Sequence, residues 1–300
     1  MTEPKVRGRF APSPTGPLHF GSLVAAAGSY LSARSQGGGW RVRMEDLDPP
    51  REMQGAADDI LRTLEAYGFE WDGEILYQSR RRDAYEAALD GLRRMDALYA
   101  CGCTRKEIAD SSVQGIEGPV YPGTCRAGLA EGHRARALRV RTDNAVIEFE
   151  DRVQGRQHAS LEHEFGDFVV RRADGFYAYQ LAVVVDDAEQ GISEIVRGAD
   201  LLTSTARQIH LQQLLGLPTP GYLHLPAAVN AQGEKLSKQT FAQPLARARP
   251  VVLLRQVLDF LGQDPLPDAG DFSLAGFWAA AMAAWDEQRI PRLRTRPCID

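Results

Sequence analysis

Residues 9–23 read RFAPSPTGPLHFGSL. Pro12, Pro14 and Pro17 fix φ and remove backbone donors, so the loop is stiff. Gly16 and Gly21 permit backbone angles and close approaches that a side chain would block. Leu23, Ala27, Tyr30 and Leu31 then recur at spacings of three and four, which predicts a helix over residues 21–35. A helix start offers free N–H groups and a positive dipole end, where phosphate sits well. His19 stands just before that start and can donate to a phosphate oxygen. A rigid turn and a nucleotide-holding loop both fit this stretch; the rest of the chain decides between them.

Outward from it, RVRM after Trp40 alternates polar and apolar, a strand with Val42 and Met44 on one face. Ile60, Leu61, Leu64 and Tyr67 mark a helix closed by Gly68, and Tyr85, Ala88, Leu89, Leu92 and Met95 mark another. Strands alternating with helices predict an α/β fold on a parallel sheet. From Cys101 to about Glu164 the pattern changes to glycines and short strand-like pieces, ALRVR and VIEFE, as in an insertion with its own small fold. YQLAVVVDD (179–187) reads as a buried core strand, Ser204–Leu215 as a helix, and Val251–Leu261 as a helix before a Trp/Ala-rich stretch over 277–285.

The chain has 300 residues, enough for two or three domains, with 25% charged and 44% apolar residues. No apolar run reaches the roughly 20 residues of a membrane span, and the N-terminus lacks a secretory h-region, so a cytoplasmic protein is expected. A formal charge of −5 argues against coating nucleic acid by bulk attraction, though not against one local basic surface. The arginine clusters at 80–82, 93–94, 134–141 and 292–296 read as solvated faces.

Lys235-Leu236-Ser237-Lys238-Gln239 follows NAQGE. Two lysines three apart on a glycine-containing loop can wrap a polyphosphate and meet a leaving pyrophosphate as mobile point charges. Together with PSPTGPLHFGSL, this stretch resembles the paired nucleotide-binding signatures of class I aminoacyl-tRNA synthetases, specifically the glutamyl branch. RMEDLDPPR (43–51) and EIVRGADLLTSTARQ (194–208) extend the resemblance, which runs from about Gly8 to Leu245. It implies a Rossmann-like catalytic domain in two halves, 1–100 and 176–240. Between them would lie a zinc-containing insertion, 101–175, resembling an acceptor-stem domain. A short, mainly helical segment, 241–300, would follow, with no anticodon-binding domain.

Glutamate carries two carboxylates and one ammonium, so its site needs two cationic forks and one anion. Arg9 and Arg197 suit carboxylates bidentately, Glu45 can take the ammonium and Tyr179 can add a hydroxyl. Arg197 could instead pair with Asp200 or Asp187. By resemblance, Arg9, Phe10, Ala11, Pro12 and Ser13 line glutamate, with Glu45, Tyr179 and Arg197 completing the pocket. His19, Gly21, Ser22, Lys235, Ser237 and Lys238 would hold ATP, His19 and the two lysines being catalytic. Ser22 stands where the general class I pattern has a second histidine, and is expected as a polar or helix-capping group.

Cys101, Cys103 and Cys125 suit tetrahedral zinc, which wants a fourth ligand; Tyr121, His133 and Glu107 are candidates on spacing, and chemistry favours His133. The resembling family places a tyrosine four residues before the last cysteine, which selects Tyr121. With a full ligand shell the zinc is structural. Cys298 reads as a spare thiol in a polar tail that frays.

Full glutamyl-tRNA synthetases continue well beyond the lysine loop, whereas about sixty residues follow Lys238 here. That layout resembles the glutamyl-Q tRNA(Asp) synthetases. The resemblance implies a monomer that activates L-glutamate with ATP and Mg2+ without tRNA. It would then esterify glutamate to queuosine in the anticodon loop of tRNA(Asp). The alternative is a truncated glutamyl-tRNA synthetase charging a tRNA 3′ end.

Overall fold

The computed structural model describes residues 6–236, 243–267 and 273–298. The first half alternates as its pattern predicts: β1 (Arg7–Phe10), α1 (Phe20–Ser35), β2 (Gly39–Met44), α2 (Ala56–Ala66), β3 (Leu76–Tyr77) and α3 (Arg82–Arg94). β1, β2 and β3 form a parallel sheet in that order. Both faces of β2 are covered, because Arg43 is as fully buried as Trp40, Val42 and Met44. A charge at full burial inside a strand needs partners, and these turn out to be part of the site.

The middle contains β4 (Leu98–Cys101), α4 (Arg105–Ser111), the short β5 (Gln114–Gly115) and β6 (Gly118–Pro119), β7 (Ala137–Val140), β8 (Val146–Asp151), β9 (Gly155–Ser160), α5 (Leu161–Glu164) and β10 (Phe168–Arg171). The strand order β10–β7–β4 forms one antiparallel sheet. The β8–β9 hairpin reaches out of this region and pairs, through Asp151 and Tyr222, with the sheet of the second half.

That second half is α6 (Tyr179–Glu189), β11 (Glu194–Gly198), α7 (Leu202–Leu215), β12 (Gly221–Leu225) and β13 (Ala227–Val229), with β11 and β12 parallel. Ser193 N–H donates to the Arg7 carbonyl at 3.0 Å, setting β11 beside β1. Residues 179–187 are therefore helical, not a core strand. The run Leu181–Val184 is buried on every side, so it shows neither the alternation of a strand nor the one-sided stripe of a surface helix.

The C-terminal segment holds α8 (Pro250–Phe260), α9 (Leu274–Ala284) and β14 (Thr295–Pro297). It packs on the first half: Trp278 from α9 joins Tyr30, Trp40 and Phe69 in an aromatic cluster with centroids 4.9–5.5 Å apart. Trp278 also donates its indole N–H to the Tyr67 carbonyl at 2.9 Å. Of the tail expected to fray, residues 295–298 are held in place, and Ile299 and Asp300 lie outside the described residues. β14 pairs with β13 and Cys298 N–H donates to the Val229 carbonyl at 2.9 Å, with Cys298 packed against the main core. Helix α1 is buried all round, between the sheet on one side and α8 and α9 on the other. Gly28 permits this, since a Cβ there would stand 2.4 Å from Leu225 Cδ1. No described helix is long and apolar enough to cross a membrane.

The arginine series in the middle region divides. Arg134 and Arg136 are exposed, whereas Arg139 is buried with its guanidinium 3.8 Å over the Tyr121 ring. The anchor there is Asp167, whose side chain is fully buried. It accepts from Tyr99 Oη (2.6 Å), Thr142 N and Oγ1 (both 2.9 Å) and Arg126 (2.5 and 2.7 Å). Burial alone would raise its pKa, but Arg126, Tyr99 and Thr142 hold it below the ordinary value. Asp167→Ala should destabilise the protein by about 2–3 kcal/mol, because Arg126 retains other carboxylates at the surface. In the wild type this contribution is present above the unfolded pKa and lost as pH falls through the depressed folded one. Chemical denaturation of both proteins from neutral pH downward checks this: the difference should shrink with acid, and a constant one would refute it.

Candidate active site and metal centre

The site lies where the strand order reverses, in the crevice outside the carboxyl ends of β1, β11 and β12, the usual ligand position in an open α/β sheet. A cavity of about 610 Å3 opens there. Its walls include Arg9–Ser13 from the end of β1 and the loop after it, His19, Gly21 and Ser22 from the start of α1, and Glu45 just past β2. Tyr179 opens α6, Arg197 comes from β11, and Lys235 closes the other end. Twelve of the fourteen glutamate- and ATP-site positions expected from sequence thus face one space; Ser237 and Lys238 lie outside the described residues.

His19 is the N-cap of α1: its Nδ1 accepts from Ser22 N–H at 3.4 Å. Ser22 is therefore not the capping group but the residue whose amide is capped, because the extended backbone at His19 aims the imidazole at the first turn. With Nδ1 accepting, the ring proton sits on Nε2. Glu45 is fixed from behind, its N–H donating to the Pro12 carbonyl at 2.9 Å. Burial pushes the Glu45 carboxyl above its ordinary pKa, opposed by Arg43 and Arg9. Lys235 Nζ lies 2.5 Å from Asp200 Oδ2.

Two arginines in the pocket are held in opposite ways. Arg9 Nε donates to Asp187 Oδ1 at 3.2 Å, and the same oxygen accepts from Arg43 Nη1 at 2.8 Å. Burial would raise the Asp187 pKa, but Arg43 and Arg9 keep it lowered. Arg43 also reaches Gln190 Oε1 at 2.8 Å and Glu45 at 3.4 Å. Arg197, by contrast, donates to His224 Nε2 (3.0 Å), Thr205 Oγ1 (2.8 Å) and Tyr179 Oη (3.2 Å). Among the described residues no carboxylate lies within ion-pair distance of it, so neither Asp200 nor Asp187 pairs with it. His224 in turn sits 2.6 Å from Asp151 Oδ2, and burial pushes its pKa down to about 4. The ring is neutral. Asp187, Arg43, His224, Asp151 and Thr205 were not singled out as site residues from sequence. Arg43 and Thr205 do lie within the resembling stretches RMEDLDPPR and EIVRGADLLTSTARQ, and His224 is a polar residue inside the apolar strand YLHL.

A second chamber of about 320 Å3 shares Ser13, Thr15, Glu45, Arg51 and Tyr179 with the main cavity and adds Asp48, Glu52, Arg172 and Tyr177. Asp48 bridges Arg51 (2.5 Å) and Arg172 (3.3 Å) along its wall.

A family model for tRNA synthetases class I (E and Q), catalytic domain, matches residues 5–247. The glutamyl-Q tRNA(Asp) synthetase of Dechloromonas aromatica is 60% identical over 95% of this chain and 96% of its own length. That of Chromobacterium violaceum is 57% identical over 97% of both. The chain belongs to the glutamyl-Q tRNA(Asp) synthetase family. Among solved structures, a glutamate tRNA ligase from Elizabethkingia meningosepticum, crystallised with its amino acid, superposes with a TM-score of 0.79. At 24% identity, over 98% of this chain and 67% of that one, this likeness shows a shared fold. The class I synthetase catalytic fold is thus the architecture of this family member too.

Outside the cleft, Cys101, Cys103 and Cys125 place their sulfurs within 4.8 Å of one another, a group that could hold a metal ion. Tyr121 Oη lies 3.4 Å from Cys101 Sγ and 3.6 Å from Cys103 Sγ, and accepts from Cys125 N–H at 2.9 Å. Among the described residues, neither His133 nor Glu107 belongs to that group. Glu107 is engaged in a capping box with Thr104 at the start of α4. Burial pushes the Cys103 thiol up to about 11, whereas at Cys125 the hydrogen bonds of Tyr121 and the neighbouring groups outweigh burial and lower the pKa. The soft donor set fits a thiophilic metal. Elemental analysis of the purified protein should find one equivalent of such a metal, and Cys103→Ser should lose it with a fall in Tm. Metal-free wild-type protein would show the thiols to be idle.

Proposed function

We propose that this protein activates L-glutamate with ATP in the absence of RNA, then transfers it to queuosine in the anticodon loop of tRNA(Asp). The relatives' shared name, glutamyl-Q tRNA(Asp) synthetase, supplies the acceptor. The observation that carries the amino acid is the charge balance of the pocket. Three buried guanidiniums, Arg9, Arg43 and Arg197, face two carboxylates, Asp187 and Glu45, and Arg197 has no contacting counter-ion among the described residues. Glutamate brings two carboxylates and one ammonium, a net charge of −1 that fits this surplus. All these groups come from one chain, so the reading needs no second copy.

In this reading Arg197 and Arg9 hold carboxylates, and Glu45 takes the ammonium. The α-carboxylate oxygen attacks the α-phosphorus of ATP while the bond to the bridging oxygen breaks and pyrophosphate leaves. His19 Nε2–H and the N-terminus of α1 receive the charge building on phosphate. Lys235 exchanges Asp200 for the departing pyrophosphate, with Lys238 and Ser237 expected beside it and Mg2+ travelling with the nucleotide. A queuosine hydroxyl then attacks the glutamyl carbonyl and AMP leaves, the acceptor entering through the chamber walled by Asp48, Arg51 and Arg172. Zinc at Cys101, Cys103, Tyr121 and Cys125 would be structural, supplying stability to the middle region and no step of the reaction.

The test is a transfer assay with labelled glutamate on tRNA(Asp) bearing or lacking queuosine. Label should appear only on the modified tRNA, and glutamate-dependent ATP–pyrophosphate exchange should proceed without any tRNA. Equal labelling of both tRNAs, or exchange that requires tRNA, would favour a 3′-end-charging enzyme. Because Glu45 bears charge only above its raised pKa, the glutamate KM should climb as pH falls through that pKa. In Glu45→Gln the KM should be high at every pH; a wild-type-like pH slope in that variant would remove the ammonium role.

A further inference from the structure

Behind Arg197, Asp151 and His224 have side chains with no solvent exposure, and neither lines the cavity. They come from opposite parts of the chain, Asp151 at the end of β8 in the middle region and His224 on β12. A guanidinium can only donate, so His224 Nε2 must accept from Arg197 Nε at 3.0 Å. The ring proton is then on Nδ1 and donates to Asp151 Oδ2 at 2.6 Å. Asp151 is itself locked, since its Oδ1 accepts the backbone N–H groups of Val153 (3.1 Å), Gln154 (2.8 Å) and His224 (3.2 Å). Thr205 Oγ1, which accepts from Arg197 Nη2, lies 3.3 Å from His224 Nε2 and completes the ring's acceptor side.

This geometry solves a particular problem. A carboxylate placed directly on Arg197 would orient it but also neutralise it, and would compete with an incoming carboxylate. The imidazole sets Asp151's charge one ring behind the guanidinium. It takes only the Nε–H, whose direction fixes the plane of the fork, and leaves Nη1 to Tyr179 Oη and Nη2 to Thr205 Oγ1, both uncharged partners. The orientation depends on which ring nitrogen bears the proton, and Asp151 decides that.

We propose that Asp151 and His224 are positioning residues for glutamate, setting the angle of the Arg197 guanidinium through the imidazole tautomer. The proposal rests on the reading of Arg197 as a carboxylate-binding group. Asp151→Asn is the informative variant in the full-length, metal-loaded protein. It keeps the volume, and its amide oxygen can still accept the three backbone N–H groups. Its NH2, however, faces Nδ1, which drives the ring proton to Nε2 and sets N–H against N–H at Arg197.

In ATP–pyrophosphate exchange, Asp151→Asn should raise the glutamate KM about ten-fold or more, with the ATP KM and kcat within about two-fold. Imidazole 15N spectra should show the proton moved from Nδ1 to Nε2. His224→Asn, whose amide reaches only the position of Nδ1, should behave likewise. His224→Gln, whose amide oxygen reaches that of Nε2, should recover at least about three-fold of the loss. Folded Asp151→Asn and His224→Asn proteins with an unchanged glutamate KM, even with a lowered Tm, would overturn the proposal by showing a merely structural pair. Arg197→Lys separates the two readings. A raised KM there with an unchanged one in Asp151→Asn refutes the relay alone, whereas an unchanged KM in Arg197→Lys refutes both.

Discussion

The fold depends on one carboxylate in a dry place. Asp187 of α6 lies between Arg9 of β1 and Arg43 of β2, so a single side chain from the second half fastens two adjacent strands of the first. Ions at this depth cost several kcal/mol each to desolvate, and the arrangement is tolerable only when complete. Without Asp187 two guanidiniums would lie buried with little compensation. Its neighbour Asp186 accepts from Gln78, Tyr85 and Arg81, so consecutive residues of α6 hold β1 and β2 through one carboxylate and the start of α3 through the other. The floor of the cleft is thereby built before any substrate arrives, and Arg9 reaches the cavity already oriented.

The middle region is coupled to this floor by similar means. Glu117 in the β5–β6 turn accepts from Arg207 (2.5 Å) and from Thr203 on α7. Arg152, just after β8, pairs with Glu194 of β11 and Glu287 of the C-terminal segment. Three separate stretches of sequence thus meet at one arginine, and the small cysteine-bearing sheet also shares an apolar core with the catalytic halves, where Leu98, Val140, Phe168 and Val170 pack with Leu89, Leu92, Leu181 and Leu211.

Much of this was legible in the residues themselves. The proline loop, the helix after it and the three thiols are signalled by local chemistry: fixed φ, a period near four, and donors spaced for one ion. Residues 179–187 were misread because an element buried on all sides carries no amphipathic pattern, and a run of valines favours the strand reading. Asp187 and Asp151 escaped for a different reason. An acidic residue is ordinarily a surface residue, and only the fold shows that its partners are arginines and a histidine 73 to 178 positions away along the chain. Ser22 misled through its identity: the side chain invited a capping role, while the cap came from the histidine three residues earlier.

β13 is shared. Along one side β14 pairs with it from near the last described residue, and along the other Val229 bridges to Lys235 and Leu236 N–H bonds to the Ala228 carbonyl. The stem of the lysine loop is therefore the middle of a small sheet whose far strand is synthesised some sixty residues later. Chains emerge from the ribosome N-terminus first, and contacts of large sequence separation form slowly. The stem of the loop that carries Lys235 thus completes its sheet only once the C-terminal segment is in place.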